Sequence, residues 1–250
     1  MADRQFMHAL SEFFMTAAGS QLRRWELSRM DSLLSAFAGE AALQVGSPYG
    51  CVLRNAPHRQ KIVGLMPGEP EGPECSAAQL LIDFEALPFR EQSFDLVVAV
   101  HALERACSPE AFMKEIFRVL APEGRFVLLG LNPWGPWWMR KKKKLLGPAT
   151  FFEPYAVSSV KRLIAPYGVI DRGQFGVYSP SLSDNPQTLV HWSWCEKAGD
   201  RWWPALANGF MLGAVKKVDG MRLVGKLQKS AEELLGKKWE SAPVAQCRKL

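Results

Sequence analysis

The chain has 250 residues and is 48% hydrophobic, enough for one large core, and it holds no run of eighteen apolar residues that would span a bilayer. Its net charge of +6 is concentrated at the end: from Lys216 onward, nine basic side chains stand against four acidic ones. Gly220, Gly225, Gly236 and Pro243 break that stretch, so it reads as a mobile, solvated tail, with an anionic surface or nucleic acid as the alternative. Five scattered cysteines (Cys51, Cys75, Cys107, Cys195, Cys247) without a CxxC pair suit reduced thiols better than a disulfide framework or a structural zinc. His8, Ser11 and Glu12 interrupt the N-terminal apolar patches and no cleavage site follows, which argues against a signal peptide and for a cytoplasmic protein.

In chain order, Leu22, Trp25, Glu26, Arg29, Met30, Leu33, Leu34 and Phe37 form an apolar stripe on a helix of roughly five turns, begun by Gly19-Ser20 and ended by Gly39. Strands are expected at 41–45, 61–65, a short one at 80–82, then 94–100 and 125–130. The run 94–100 is almost continuously apolar, as a parallel strand covered on both faces should be. Between the last two strands, Ser108, Pro109 and Glu110 supply an N-cap, a first-turn proline and an acid at the positive end of a helix over 109–120. Phe112, Ile116, Val119 and Leu120 form its buried stripe, and Pro122-Glu-Gly124 ends it. A helix at 155–165, a strand at 169–175, a long polar connection and a closing strand at 210–216 complete the reading. Together, 81–130 read as half of a nucleotide-binding α/β domain.

The order Asp83-Phe-Glu-Ala-Leu-Pro-Phe89, Ser93-Phe-Asp-Leu-Val97, His101-Ala-Leu-Glu104 and Arg118-Val-Leu-Ala-Pro-Glu-Gly-Arg125 resembles the class I S-adenosylmethionine-dependent methyltransferases, most closely the small-molecule type. Several short motifs in one order and spacing are far more specific than any one alone. The resemblance implies a doubly wound, mostly parallel seven-stranded sheet with helices on both faces, formed by residues 1–218, with 219–250 as the basic tail. It also implies S-adenosylmethionine as cofactor and a small-molecule methyl acceptor, which the tryptophans named below favour as apolar or flat. No metal is implied.

In that family the turn after the first strand reads D-x-G-x-G-x-G, which maps onto Gln44, Gly46, Pro48 and Gly50, with Ser47 between. The acid has become Gln44, and Pro48 removes a backbone N–H from the middle of the turn. The acid that holds the ribose at the end of the second strand falls on Met66, and Glu69 or Glu71 from the following loop is the nearest substitute. The resemblance further implies that Asp83 contacts the adenine and that Phe84 lies against its ring, although Asp83 is also placed to cap the next turn. Val100 and His101 fall at the carboxyl end of the fourth strand, where His101 is a candidate general base or a packing residue.

After the fifth strand, Trp134, Trp137 and Trp138 precede Arg140, Lys141, Lys142, Lys143 and Lys144. Such a segment reads first as a lid over the acceptor pocket, second as an anchor on an anionic membrane and third as a nucleic-acid contact. Trp192, Trp194, Trp202 and Trp203 add aromatic surface nearby. Two functions of different class follow. One is a methyltransferase, which requires that the altered turn still bind cofactor. The other is a descendant of the fold that has lost catalysis and acts as a binding or scaffold protein, which is what Gln44, Pro48 and Met66 would predict. A nicotinamide-dependent oxidoreductase is disfavoured because the turn lacks G-x-G-x-x-G.

Overall fold

In the computed structural model, residues 10–66, 69, 76–137, 154–180, 191–192 and 194–218 are described. Strands β1 (Gly39–Val45), β2 (His58–Leu65), β3 (Ala78–Leu81), β4 (Phe94–Val100), β5 (Leu120–Leu131), β6 (Gly168–Gly176) and β7 (Gly209–Lys216) form one sheet in the order β3-β2-β1-β4-β5-β7-β6. The first five are parallel, and β7 runs antiparallel between β5 and β6. This is the doubly wound, mostly parallel arrangement expected, closed by a late hairpin.

Alternation along the apolar runs explains the two layers. Leu96, Val98, Val127 and Leu129 face helix α1 (Ala17–Leu34) through Met30, Leu33 and Leu34. Their neighbours Val97, Ala99, Phe126 and Leu128 face α2 (Pro109–Val119) and α3 (Val157–Ile164) through Phe112, Ile116, Val160 and Ile164. Each of the Val, Leu, Ile, Met and Phe side chains among them, fully buried, contributes about 1.5–3 kcal/mol. No described helix is long and apolar enough to cross a membrane.

The sequence motifs prove to be structural joints. Asp95 of β4 accepts hydrogen bonds from the Glu40 and Ala41 N–H groups at 2.7 and 3.1 Å, which fixes the start of β1. Arg118 near the end of α2 donates to the carbonyls of Leu87 and Phe89, both at 2.9 Å, and pairs with Glu115, which accepts from the Leu87 N–H. The Leu-Pro-Phe and Arg-Val-Leu motifs therefore occur together because one arginine joins them.

Boundaries moved where local chemistry overrode the pattern. Thr16, rather than Gly19-Ser20, caps α1, its hydroxyl accepting from the Gly19 N–H at 3.1 Å, and Gly39 opens β1 instead of closing a helix. Strand β5 begins at Leu120: the pairing Phe94 with Leu120 jumps to Leu96 with Arg125, so Pro122-Glu-Gly124 lies in a bulged strand rather than at a helix end. The connection read as polar contains helix α4 (Trp194–Trp202). Cys107 and Cys195 are free thiols, but Cys51 is disulfide-bonded to a partner outside the described residues, against the expectation of reduced thiols. Spacing along the chain does not report which loops the βα crossovers bring together. The expected tail, 219–250, also lies outside the described residues.

Candidate active site

Strand order reverses between β1 and β4, and in a doubly wound sheet the crevice outside that point is the ligand site. The turn after β1 is closed against it. Gly46 has φ 85°, donates its N–H to the Gly64 carbonyl at 2.9 Å, and leaves no room for a side chain, since a Cβ there would stand 2.6 Å from the Val100 carbonyl oxygen. Gly50, at φ 105°, faces open space. Gln44 is fully buried beneath the turn: its amide donates to the carbonyls of Gly46 (2.9 Å) and Gly50 (3.0 Å) and accepts from the Val52 N–H (2.8 Å). A carboxylate at this position has no N–H to donate to those two carbonyls.

Met66 carries no acid, yet an acid is present at that strand end. Glu69 folds back so that its buried carboxylate accepts from the Ser47 N–H at 2.9 Å and the Met66 N–H at 2.8 Å. It also accepts from Arg105, in the 3-10 turn Leu103–Arg105 after β4. The Arg105 guanidinium lies over Phe84, 5.1 Å from the ring centroid, while Phe84 itself packs in the core against Phe112. Asp83 is exposed and one carboxylate oxygen caps the following turn by accepting from the Glu85 N–H at 2.9 Å.

His101 has φ 49°, a left-handed conformation uncommon for a side-chain-bearing residue, at the end of β4 beside fully buried Val100. Its Nε2 is 3.1 Å from Glu26 of α1, and its Nδ1 is 3.6 Å from Glu104. Glu26 also accepts from the Tyr49 hydroxyl at 2.6 Å, and Glu104 from the Leu131 N–H at 2.8 Å. Burial alone would lower the histidine pKa, but the two carboxylates outweigh it and raise it from 6.5 to about 10. The same burial, with Glu26 adjoining, pushes the Tyr49 phenol up. Buried between two carboxylates that favour its protonated form, His101 is placed as the hydrogen-bonding alternative that the sequence left open beside the general base. Glu26 was visible in the sequence as an acid inside an apolar stripe; Arg105 and Tyr49 gave no such signal.

Phe14 lies 5.2 Å from the His101 ring, and Trp137 packs edge-on against Phe13 at 5.6 Å. Trp137 is held by Asn208, whose side-chain oxygen accepts from its backbone N–H at 2.9 Å, and it is buried in a cluster with Leu10, Phe13 and Phe14. Trp134, three residues earlier, is 61% exposed. Trp138 and Lys141 to Lys144 lie outside the described residues.

Residues 43–128 match the family model described as "Methyltransferase domain". No curated protein matches the sequence. Among solved structures, the chain is similar to an S-adenosylmethionine-dependent methyltransferase from Thermotoga maritima (14% identity, 83% of this chain and 100% of that one, TM-score 0.54). It is also similar to one from Mesorhizobium loti (13%, 75% and 96%, TM-score 0.51) and to geranyl diphosphate methyltransferase solved with geranyl diphosphate and sinefungin (12%, 79% and 79%, TM-score 0.54). With the sheet order and the joined motifs, these give the chain the fold of the class I S-adenosylmethionine-dependent methyltransferases, with residues 43–128 similar to that family's methyltransferase domain.

Proposed function

We propose that the protein transfers a methyl group from S-adenosylmethionine to a small, apolar or flat acceptor. Glu69 is the observation that carries this reading. Where Met66 lacks the acid that would hold a ribose, Glu69 puts a buried carboxylate at the same strand end, fixed by two backbone donors. Gly46, where a side chain would meet the Val100 carbonyl, lets the turn sit close against the end of β4, at the crevice where such a ligand would lie. When bound, the cofactor supplies a methyl group activated on a sulfonium.

The chain's own part is to bind and align. In this reading the backbone of Gly46, Ser47 and Gly50 lines the crevice, Gln44 holds the turn shut, and Val100 forms the floor. Glu69 accepts from the ribose hydroxyls, the free side of exposed Asp83 accepts from the adenine amino group, and Phe84 offers its ring to the purine. His101 is a positioning residue: through Glu26 it ties α1 to the end of β4 and so sets the roof over the acceptor. Alignment alone is worth up to about 7–11 kcal/mol in such a displacement. The aromatic roof of Phe13, Phe14 and Trp137 suits an apolar or flat acceptor.

Calorimetric titration with S-adenosylmethionine and S-adenosylhomocysteine tests this. Micromolar binding, weakened in Glu69→Gln and Asp83→Ala, is expected. Absence of heat at millimolar ligand would favour the second reading, a binding protein without catalysis. That reading draws on Trp134, Trp202 and Trp203, which are exposed on segments that Asn132 joins through the carbonyls of Ala205 and Ala207.

A further inference from the structure

Among the described residues, Arg105 contacts both Glu69 and Phe84, each a group that the proposed function assigns to the cofactor. It donates to Glu69, the acid meant for the ribose, and its guanidinium stands over the ring of Phe84, meant for the purine. The arginine side chain is 3% exposed and the glutamate 0%, so the pair is enclosed rather than a surface contact. Guanidinium is planar, stacks on aromatic faces and offers a fork of N–H donors. An adenosine brings the same two things, a flat purine and a pair of hydroxyl donors.

We propose that Arg105 is an internal occupant of the adenosine half of the crevice, so that cofactor binding is an exchange of one planar donor group for another and Arg105 sets its affinity. This inference rests on the S-adenosylmethionine reading. The exchange is chemically feasible because Glu69 keeps the Ser47 and Met66 N–H groups as donors at 2.9 and 2.8 Å, so its charge is not left bare when Arg105 leaves. It also predicts selectivity. A ligand with the purine but without ribose hydroxyls replaces only the contact to Phe84 and should displace Arg105 poorly.

The test is calorimetric titration of wild type, Arg105→Ala and Arg105→Lys with S-adenosylhomocysteine and with adenosine, alongside circular dichroism to establish that each variant is folded. Arg105→Ala should bind both ligands about tenfold tighter, equivalent to about 1.4 kcal/mol. Arg105→Lys should fall between, because an ammonium neither stacks as a plane nor forks. Binding by wild type with equal or weaker binding by folded Arg105→Ala overturns the inference and leaves the cofactor reading standing. If Arg105→Ala does not fold, Arg105→Lys decides: a gain supports the inference, and no gain overturns it. Binding by Arg105→Ala alone supports inference and reading together, whereas binding by none of the three chains overturns both.

Discussion

The Glu26–His101–Glu104 chain and the Glu69–Arg105 pair are both buried at the carboxyl ends of the strands, yet they are anchored differently. The first draws on α1, the turn after β1 through Tyr49, the end of β4 and the start of the β5 exit through Leu131. The second joins two loops, and one partner is a long arginine whose head rests on an aromatic face. The first is costly to break by truncation, since removing one member of a buried pair leaves an uncompensated charge, whereas Glu69 of the second keeps two backbone donors. Only the second can exchange its cation for another donor of similar shape. The comparison separates a joint that holds α1 on the sheet from a contact suited to open.

Breaking the fixed joint should have the largest effect. His101→Ala leaves Glu26 and Glu104 buried without their cation and should cost about 3–5 kcal/mol in urea denaturation. A loss below about 1 kcal/mol would instead mark a hydrated cluster. The pH dependence has a definite sign. The folded His101 pKa, raised to about 10, exceeds the unfolded value of 6.5, so its stabilising contribution is complete below the unfolded value and is lost as pH rises toward the folded one. Thermal melting temperature should fall between these limits more steeply in wild type than in His101→Gln; parallel curves would remove His101 as the titrating group.

Gln44→Glu should have an intermediate effect, although it restores the acid that the family places there. The new carboxylate still accepts from the Val52 N–H but cannot donate to the Gly46 and Gly50 carbonyls, which then face it across about 3 Å. A loss of about 1–3 kcal/mol is expected. Equal stability of the two proteins would show that the turn reorganises around either side chain.

These sites differ in how far the sequence reveals them. The sheet was readable because strands covered on both faces leave continuous apolar runs, and β4 was placed to the residue at Phe94–Val100. The departures at Gln44 and Met66 were readable as substitutions, and Glu69 as one of two candidate replacements for the acid, but the part Gln44 plays was not readable. Whether Gln44 satisfies two carbonyls, or Glu69 reaches two N–H groups, depends on where the turn places them. The pairing of His101 was hidden because its partner Glu26 is 75 positions away, on a helix that only packing brings near. Arg105 follows a recognised motif without belonging to it, so nothing marks its side chain as lying in the crevice. Trp134 and Trp137 are indistinguishable in sequence; an asparagine at 208 holds one of them inside.

The exposed tryptophans stand outside both buried groups, and changing them should disturb the fold least. Trp202 and Trp203 are 68% and 55% exposed, so replacing both by Ser should move stability by no more than about 0.5 kcal/mol. If this surface rests on an anionic membrane, the same replacement should cut retention on phosphatidylglycerol vesicles at low salt, because indole rings favour the headgroup level. Replacing Lys141, Lys142, Lys143 and Lys144 by Gln should cut it further, each lysine contributing about 1 kcal/mol near such a surface. Retention that is equal in wild type and both variants, or absent in all three, excludes the membrane. Capture of single-stranded RNA by wild type but not by the lysine variant would assign the surface to nucleic acid, since phosphate neutralisation by lysine, rather than insertion of indole, would then control binding.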